Sequence, residues 1–372
     1  MSALYLHIPF CRRACYYCDF HFSTSLRTKP AVLKAILLEL ESRSPEATSR
    51  IQSIYFGGGT PSLLQHNELM SLFDHIFHFY DISPDAEITL EANPDDLTSQ
   101  RLKELRNTPV NRLSIGVQSF HDSDLKYMNR IHSAKDAEYA IKRAQDIGFA
   151  NLSIDLIYGI PTLTDAIWID NLQRLILYQV PHISAYALTI EEHTPLHHLI
   201  RRKKTLPPVE EHIARHFKVM SDLLSHAGFV HYEISNFAQP DYQSRHNSSY
   251  WTGLAYIGIG PSAHSYDGYS QRRWNVANNV QYIKGVNEGG GWFEMETLNE
   301  TDKWIEFVMI SLRRADGIKK KDALLFGEQA YETLIKRSKD MSKQWFYDDS
   351  NALRLTLEGM LMSDYIILNL IK

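Results

Sequence analysis

The sequence predicts an α/β fold of six strand–helix units wound in one direction, followed by a small, mainly helical C-terminal part. Three observations carry that prediction. Short apolar, β-branched runs recur at 3–8, 51–56, 86–92, 112–117, 152–158 and 182–188. Helical patterns separate them, with Leu33, Ile36, Leu37 and Leu40 on one face, Leu69, Leu72, Phe73 and Ile76 on another, and Ala137, Ala140, Ile141 and Ala144 on a third. The runs are also nearly continuous in hydrophobicity, which suits parallel strands covered on both faces better than a half-exposed antiparallel sheet. Such a series closes either as a doubly wound sheet or in a barrel-like form.

Taken in order, "ALYLHI" opens the chain as the first strand and leads directly into "PFCRRACYYCDF". The second strand, "IQSIYF", ends in the turn "GGGTPSLL", and the third, "AEITLEA", in "NPDDL". The fourth runs into "QSF", the fifth, "LSIDLIY", into "GIP", and the sixth is "HISAYAL". Residues 208–227 then read as an amphipathic helix with Ile213, Phe217, Met220 and Leu224 on one side. From 228 to 290 the chain is rich in Gly, Asn, Ser, Tyr and Trp with little periodicity, which predicts loops and short strands around a site. "EGGGWF" (288–293) predicts a division of the chain into 1–290 and 291–372. Beyond it "TDKWIEFVMISLRR" starts a helix capped at Thr301, and "ALRLT" (352–356) gives one short strand.

The chain has 372 residues, 44% hydrophobic and 22% charged, with a formal net charge of −5. That balance lacks the basic surplus of a nucleic-acid partner. Arg201-Arg202-Lys203-Lys204 is the one basic run; it reads as a solvated loop, with an acidic ligand or peripheral membrane surface as the lesser alternative. No stretch reaches the roughly eighteen apolar residues of a membrane span. "MSALYLHIPF" has no basic and long apolar leader pattern, so a cytoplasmic location is expected, with thiols reduced.

All three cysteines, Cys11, Cys15 and Cys18, fall within residues 11–18. Thiolates converging on one point signal a metal site. With His21 they would complete a closed Cys₃His zinc tetrahedron. Alternatively, they hold an iron–sulfur cluster with one iron left open. Their position favours the second reading, because they follow a strand at the edge of a parallel sheet where α/β folds place their chemistry.

The segment "HIPFCRRACYYCDF" resembles the CxxxCxxC motif of the radical SAM family. The lead-in "LYLHIPFC" and the ending "LRLTLEGMLMSD" are similar to the branch that contains oxygen-independent coproporphyrinogen III oxidase and the HemW heme chaperones. The resemblance implies a partial (βα)₆ TIM-like barrel, a [4Fe–4S] cluster on Cys11, Cys15 and Cys18, and S-adenosylmethionine on the open iron. In "YFGGGTPSLL", three glycines let backbone N–H groups approach a ligand, and no lysine follows as in a nucleotide P-loop. By resemblance Gly58, Gly59 and Thr60 receive the methionine end.

Glu91, Gln118, Arg130 and Asp155 each sit at or beyond a predicted strand end and would meet at one barrel mouth. The resemblance places Tyr5 and Glu91 at a first S-adenosylmethionine, Gln118, Arg130 and Asp155 at a second site, and Tyr17 at the adenine.

"RHNSSYWTG" (245–253) reads by itself as a polar turn before a packed aromatic pair. It is similar to the HNxxYW motif of the chaperones. That implies heme binding by His246, Asn247, Tyr250 and Trp251, the imidazole for iron and the rings for the macrocycle. "YIGIGPSAHSY" (256–266) reads as a tight loop in which His264 is structural before it is a heme ligand. Phe20 stands where the oxidase carries a fourth cysteine, and the oxidase's N-terminal arm is not seen, so heme chaperoning is expected rather than decarboxylation. A heme-acceptor protein and an electron donor are implied partners, as monomer or homodimer.

Overall fold

All six predicted strand runs form strands, and each is followed by a helix. The computed structural model describes residues 2–372. The series is β1 (Ser2–Ile8), α1 (Lys29–Arg43), β2 (Ile51–Gly58), α2 (His66–Phe79), β3 (Ile82–Ala92), α3 (Ser99–Arg106), β4 (Arg112–Gln118), α4 (Asp122–Tyr127), α5 (Ala134–Asp146), β5 (Asn151–Tyr158), α6 (Asp165–Leu177) and β6 (His182–Ala187). Neighbours β1 through β6 pair in parallel and in chain order, the arrangement of a partial (βα)₆ barrel. Side-chain oxygens start several of the helices. Thr98 and Thr164 accept from the first turns of α3 and α6, and Ser133 and Asp136 form a reciprocal box at α5.

The strands are not hydrophobic on both faces, as the near-continuous runs suggested. One face carries Leu4, Leu6, Ile54, Phe56, Leu90, Leu113, Ile115, Ile154 and Ile183, all fully buried beneath the helices. The alternate positions, facing the barrel interior, are polar: Ser53, Tyr55, Glu87, Thr89, Glu91, Arg112, Ser114, Ser153, Asp155, His182 and Ser184. The period-two alternation of a strand is hidden here because Tyr, Ser and Thr pass for β-favouring residues.

Helix α7 (Pro195–Arg201) and α8 (Glu210–His226) follow, the latter burying Phe217, Met220 and Leu224 as expected, with Ile213 half-buried. Antiparallel β7 (Val230–Glu233) and β8 (Asn236–Ala238) flank β6. The stretch expected as a polar turn is a helix, α9 (Arg245–Trp251), because Ser244 caps it by accepting from the Asn247 N–H. Beyond it, β9 (Ala255–Ile259) runs parallel to β1 and extends the sheet on the other side through β10 (His264–Tyr266), β11 (Gln271–Asn275), α10 (Asn279–Glu288) and β12 (Phe293–Thr297).

The sheet therefore runs past the division expected at 290, since β12 pairs with β11. The glycines there end α10, with Gly289 at φ 77°, and turn the chain back into an edge strand. The cap of the next helix, Glu300–Leu312, is Asn299 paired with Asp302 rather than Thr301. Of "ALRLT" only Ala352–Leu353 is strand. Helices Glu328–Lys339 and Ser363–Ile371 are the longest elements of the remaining C-terminal part. Among the described residues no helix is long and apolar enough to cross a membrane.

Candidate functional site

At the C-terminal ends of β1–β6 the interior opens into a cavity of about 400 Å³. Cys11, Cys15 and Cys18 form one wall. Their loop is closed at its base, where the Cys11 N–H donates to Ser23 O at 3.0 Å and the Ser23 N–H to Pro9 O at 2.9 Å. It is tied at its far end to the segment after α4, where the Asn129 amide donates to Ala14 O at 2.7 Å and the Tyr16 N–H to Met128 O at 3.1 Å. No disulfide joins the three. Burial pushes the Cys11 thiol up to about 11 and the Cys18 thiol up to about 12, so these two are neutral in the bare loop. Positive charge from a metal group is what would make them thiolates.

Two donors already point at sulfur: Thr60 Oγ1 to Cys11 Sγ at 3.4 Å and Arg130 Nη1 to Cys15 Sγ at 3.3 Å. Such outer donors stabilise negative sulfur ligands, so the residues present fit a thiolate-bound metal group. The zinc alternative is not assembled: His21 does not line the cavity with the three cysteines, and its Nε2 is turned to Asn279 Oδ1 at 2.8 Å. Among the described residues no three His, Cys, Asp or Glu side chains close on a single-ion position.

Beside the loop runs the glycine turn. A Cβ on Gly58, whose φ is +102°, would stand 2.5 Å from the His7 ring. One on Gly59 would stand 2.7 Å from Ile8 O, Phe10 N and Phe10 O. The turn is thus moulded onto the end of β1, with the Gly59 and Thr60 N–H groups donating to Ile8 O and Phe10 O. Glu91 accepts from the Tyr55 hydroxyl at 2.8 Å and the Gly58 N–H at 3.2 Å. Burial, with Asp155 nearby, pushes its carboxyl up to about 7. Asp155 lies mid-strand rather than at a strand end, accepts from Ser114 Oγ at 3.1 Å, and is raised by burial to about 6. Arg130 donates to Asn93 Oδ1 at 2.6 Å and Gly116 O at 2.7 Å. Gln118 adopts φ 67°, unusual for a non-glycine residue, and lines the same cavity with Tyr17. Tyr5 sits behind Tyr55, ring centroids 6.1 Å apart, with its hydroxyl 3.2 Å from His7 Nδ1.

Helix α9 lies against the inner face of β2 and β3, and of its four predicted residues only Asn247 lines the cavity. His246 is 1% exposed, with Nδ1 bonded to Ser53 Oγ and Nε2 to Tyr250 OH, each at 2.9 Å. Its ring stacks on Tyr55 at 4.9 Å, and burial lowers it to about 3, so it is a neutral imidazole with both nitrogens engaged. Tyr250 packs edge-on against His246 and Tyr256. Trp251 is half-buried at the helix end, where its carbonyl faces Arg314. His264 lies outside the cavity, stacked on Trp274. The cavity also exposes residues the sequence reading missed: Tyr55, Asn93, Arg112, Ser184 and Tyr186. Tyr55, Arg112, Ser184 and Tyr186 lie within the predicted strands at alternate positions, and that alternation is the signal that finds them.

The model of the Radical SAM superfamily matches residues 5–175. A heme chaperone HemW of Bacillus subtilis (strain 168) is 34% identical over 374 residues, covering 98% of each chain. One from Lactococcus lactis subsp. lactis (strain IL1403) is 32% identical, covering 96% of this chain and 94% of that one. The structure of coproporphyrinogen III oxidase (HemN) from Escherichia coli, a radical SAM enzyme, superposes with TM-score 0.82. It covers 99% of this chain and 89% of that one at 24% identity, a likeness of fold.

Proposed function

The chain belongs to the radical SAM superfamily, in the group of the HemW relatives, and from that membership we propose that it is a heme chaperone. In this reading it binds a [4Fe–4S] cluster, S-adenosylmethionine and one heme, and passes the heme to an acceptor protein. The observation that carries it is the wall of three cysteines without a fourth, facing a cavity in a chain that matches those relatives along its whole length.

Cys11, Cys15 and Cys18 would hold the cluster, with Thr60 and Arg130 donating to the sulfurs. When bound, that group supplies one-electron reduction of the sulfonium. The chain's own residues bind and orient. Gly58 and Gly59 let backbone come close, and Glu91 and Asp155 offer oxygens to an amine or ribose. Gln118 and Tyr17 complete the wall around S-adenosylmethionine, and Tyr5 backs it from behind Tyr55. Asn247, the one residue of "HNSSYW" that lines the cavity, would touch heme directly. His246, Tyr250 and Trp251 hold α9 in place beneath it, and a heme that takes His246 as ligand has to displace Ser53 and Tyr250 first. An electron donor and a cytoplasmic setting belong to the same reading.

The likeness of fold to HemN raises one rival, oxidative decarboxylation of coproporphyrinogen III. Product analysis with that substrate and a reductant separates the two, since a chaperone forms no protoporphyrinogen. The direct test is anaerobic reconstitution with ferrous iron and sulfide, followed by titration with hemin. A saturable Soret shift at one heme per chain is expected, weakened in Asn247→Ala. Absence of any Soret change in wild type sinks the reading.

A further inference from the structure

We propose that Arg112 is the receptor for a carboxylate that a ligand inserts against the cavity floor. The choice of candidate ligands rests on the reading above; the site itself does not. Arg112 starts β4 on its inward face, paired with Thr89 of β3 and Asn151 of β5, and it lines the cavity while being only 1% exposed. Its Nε and Nη2 have no hydrogen-bond partner, and neither does the buried hydroxyl of Thr89 beside it.

A guanidinium withdrawn from water with unmet donors is strongly unfavourable unless something completes it. The cavity's own carboxylates do not. Glu91 is held by Tyr55 and Gly58, Asp155 by Ser114, and neither bonds Arg112. Arg130, also in the cavity wall, differs: both of its terminal nitrogens are engaged, on Asn93, Gly116 and Cys15, and only its Nε lacks a partner. The unpartnered edge of the Arg112 guanidinium, Nε with Nη2, matches the two oxygens of a carboxylate that displaces the atoms covering it, and one negative charge balances it. A dianion would meet the repulsion of Glu91 and Asp155.

Within the proposed function two ligands carry that group: heme on its propionates, and S-adenosylmethionine on its amino-acid end, the latter only in place of the seat at Gly58, Gly59 and Thr60 that the resemblance implies. The test uses the anaerobically reconstituted chain as wild type, Arg112→Lys and Arg112→Gln. Each is titrated with S-adenosylmethionine and its decarboxylated analogue by equilibrium dialysis, and with hemin and its dimethyl ester by Soret absorbance. In one pair, wild type should lose tenfold or more in affinity when the carboxylate is removed. R112Q should bind the carboxylate form that much more weakly and not distinguish the pair, with R112K between. Equal wild-type affinities within both pairs overturn the proposal, even where R112Q fails to fold, and so does a loss in R112Q that is the same for both members of each pair. Should hemin give no Soret change while the S-adenosylmethionine pair behaves as expected, the chaperone reading fails and Arg112 stands. Should all heme forms bind every variant alike and the S-adenosylmethionine pair also, the reverse holds.

Discussion

Replacing His246 by Ala tests whether this imidazole is structural, as its surroundings require. The ring is buried with both nitrogens bonded, and truncation removes two hydrogen bonds at 2.9 Å and a stack on Tyr55 at 4.9 Å. Each lost bond costs about 1 kcal/mol, and Ser53 Oγ, in a residue 2% exposed, is left without its partner. Emptying a ring-sized space in a packed interior adds about 2 kcal/mol or more. The sum is about 4 kcal/mol. Asn247→Ala is the control: its side chain makes no hydrogen bond among the described residues and faces the cavity, so a change within about 0.5 kcal/mol is expected. Urea unfolding of the apo chain, followed by far-UV circular dichroism, reads both. At a slope of roughly 3 kcal/mol/M the midpoint of His246→Ala falls by more than 1 M, and that of Asn247→Ala stays put. A His246→Ala protein with the wild-type midpoint and slope refutes the structural assignment and returns His246 to the role of a free ligand.

Three further outcomes follow from the site. Gly59→Ala forces a methyl to within 2.7 Å of backbone at the end of β1, which overpacks by about 1–3 kcal/mol and distorts the root of the cysteine loop. Iron bound per chain after reconstitution should fall below wild type in the fraction that remains folded; full loading would show that the loop tolerates the shift. Glu91 has its carboxyl raised from 4.5 to about 7, so its ionisation costs folding free energy as pH rises through that window and costs nothing below it. Glu91→Gln does not titrate, and its apo stability relative to wild type should improve by about 2 kcal/mol between pH 5 and 8; a pH-independent difference contradicts the raised carboxyl. Arg130→Gln removes the donor to Cys15 Sγ, and the reconstituted iron group should lose iron to a chelator several-fold faster than wild type, with an unchanged rate counting against that contact.

How much of this was legible in the sequence depended on whether a signal was local. The six strands and three helical faces were, because a run of β-branched residues or an i, i+3, i+4 stripe is complete within one element. So was the gathering of Cys11, Cys15, Cys18, Gly58, Gly59, Thr60, Glu91, Gln118 and Arg130 around one cavity, since strand ends of successive βα units must meet at one edge, whereas Asp155 joins them from mid-strand. What failed were features settled by distant partners. "RHNSSYW" reads as a polar turn until Glu87, a strand residue more than 150 positions away, accepts the Arg245 and His246 N–H groups and anchors the helix start. The glycines at 289–291 read as a linker until β12 finds β11. Thr301 is the exception, a local miss: the reciprocal box of Asn299 and Asp302 lies within one turn, and its spacing was already in the sequence.

The polar interior explains why the floor of the site escaped a reading based on motifs. A barrel that places Ser53, Glu87, Thr89, Arg112, Asp155 and His182 inward would be unstable if those groups were left unpaired. Most are not: His182 bonds Ser153 and Tyr232, Ser53 bonds His246, Glu87 holds the start of α9, and Asp155 takes Ser114. Each pairing converts a polar residue from a candidate ligand group into part of the scaffold, whatever its chemical type. His246 is the clearest case, a residue of metal-ligand chemistry that the fold has already used. Arg112 is the opposite case, an unremarked residue in an ordinary strand pattern whose donors nothing in the chain completes. The residues that remain for a ligand are therefore those left over after the scaffold has satisfied its own, and only the folded arrangement separates the two sets.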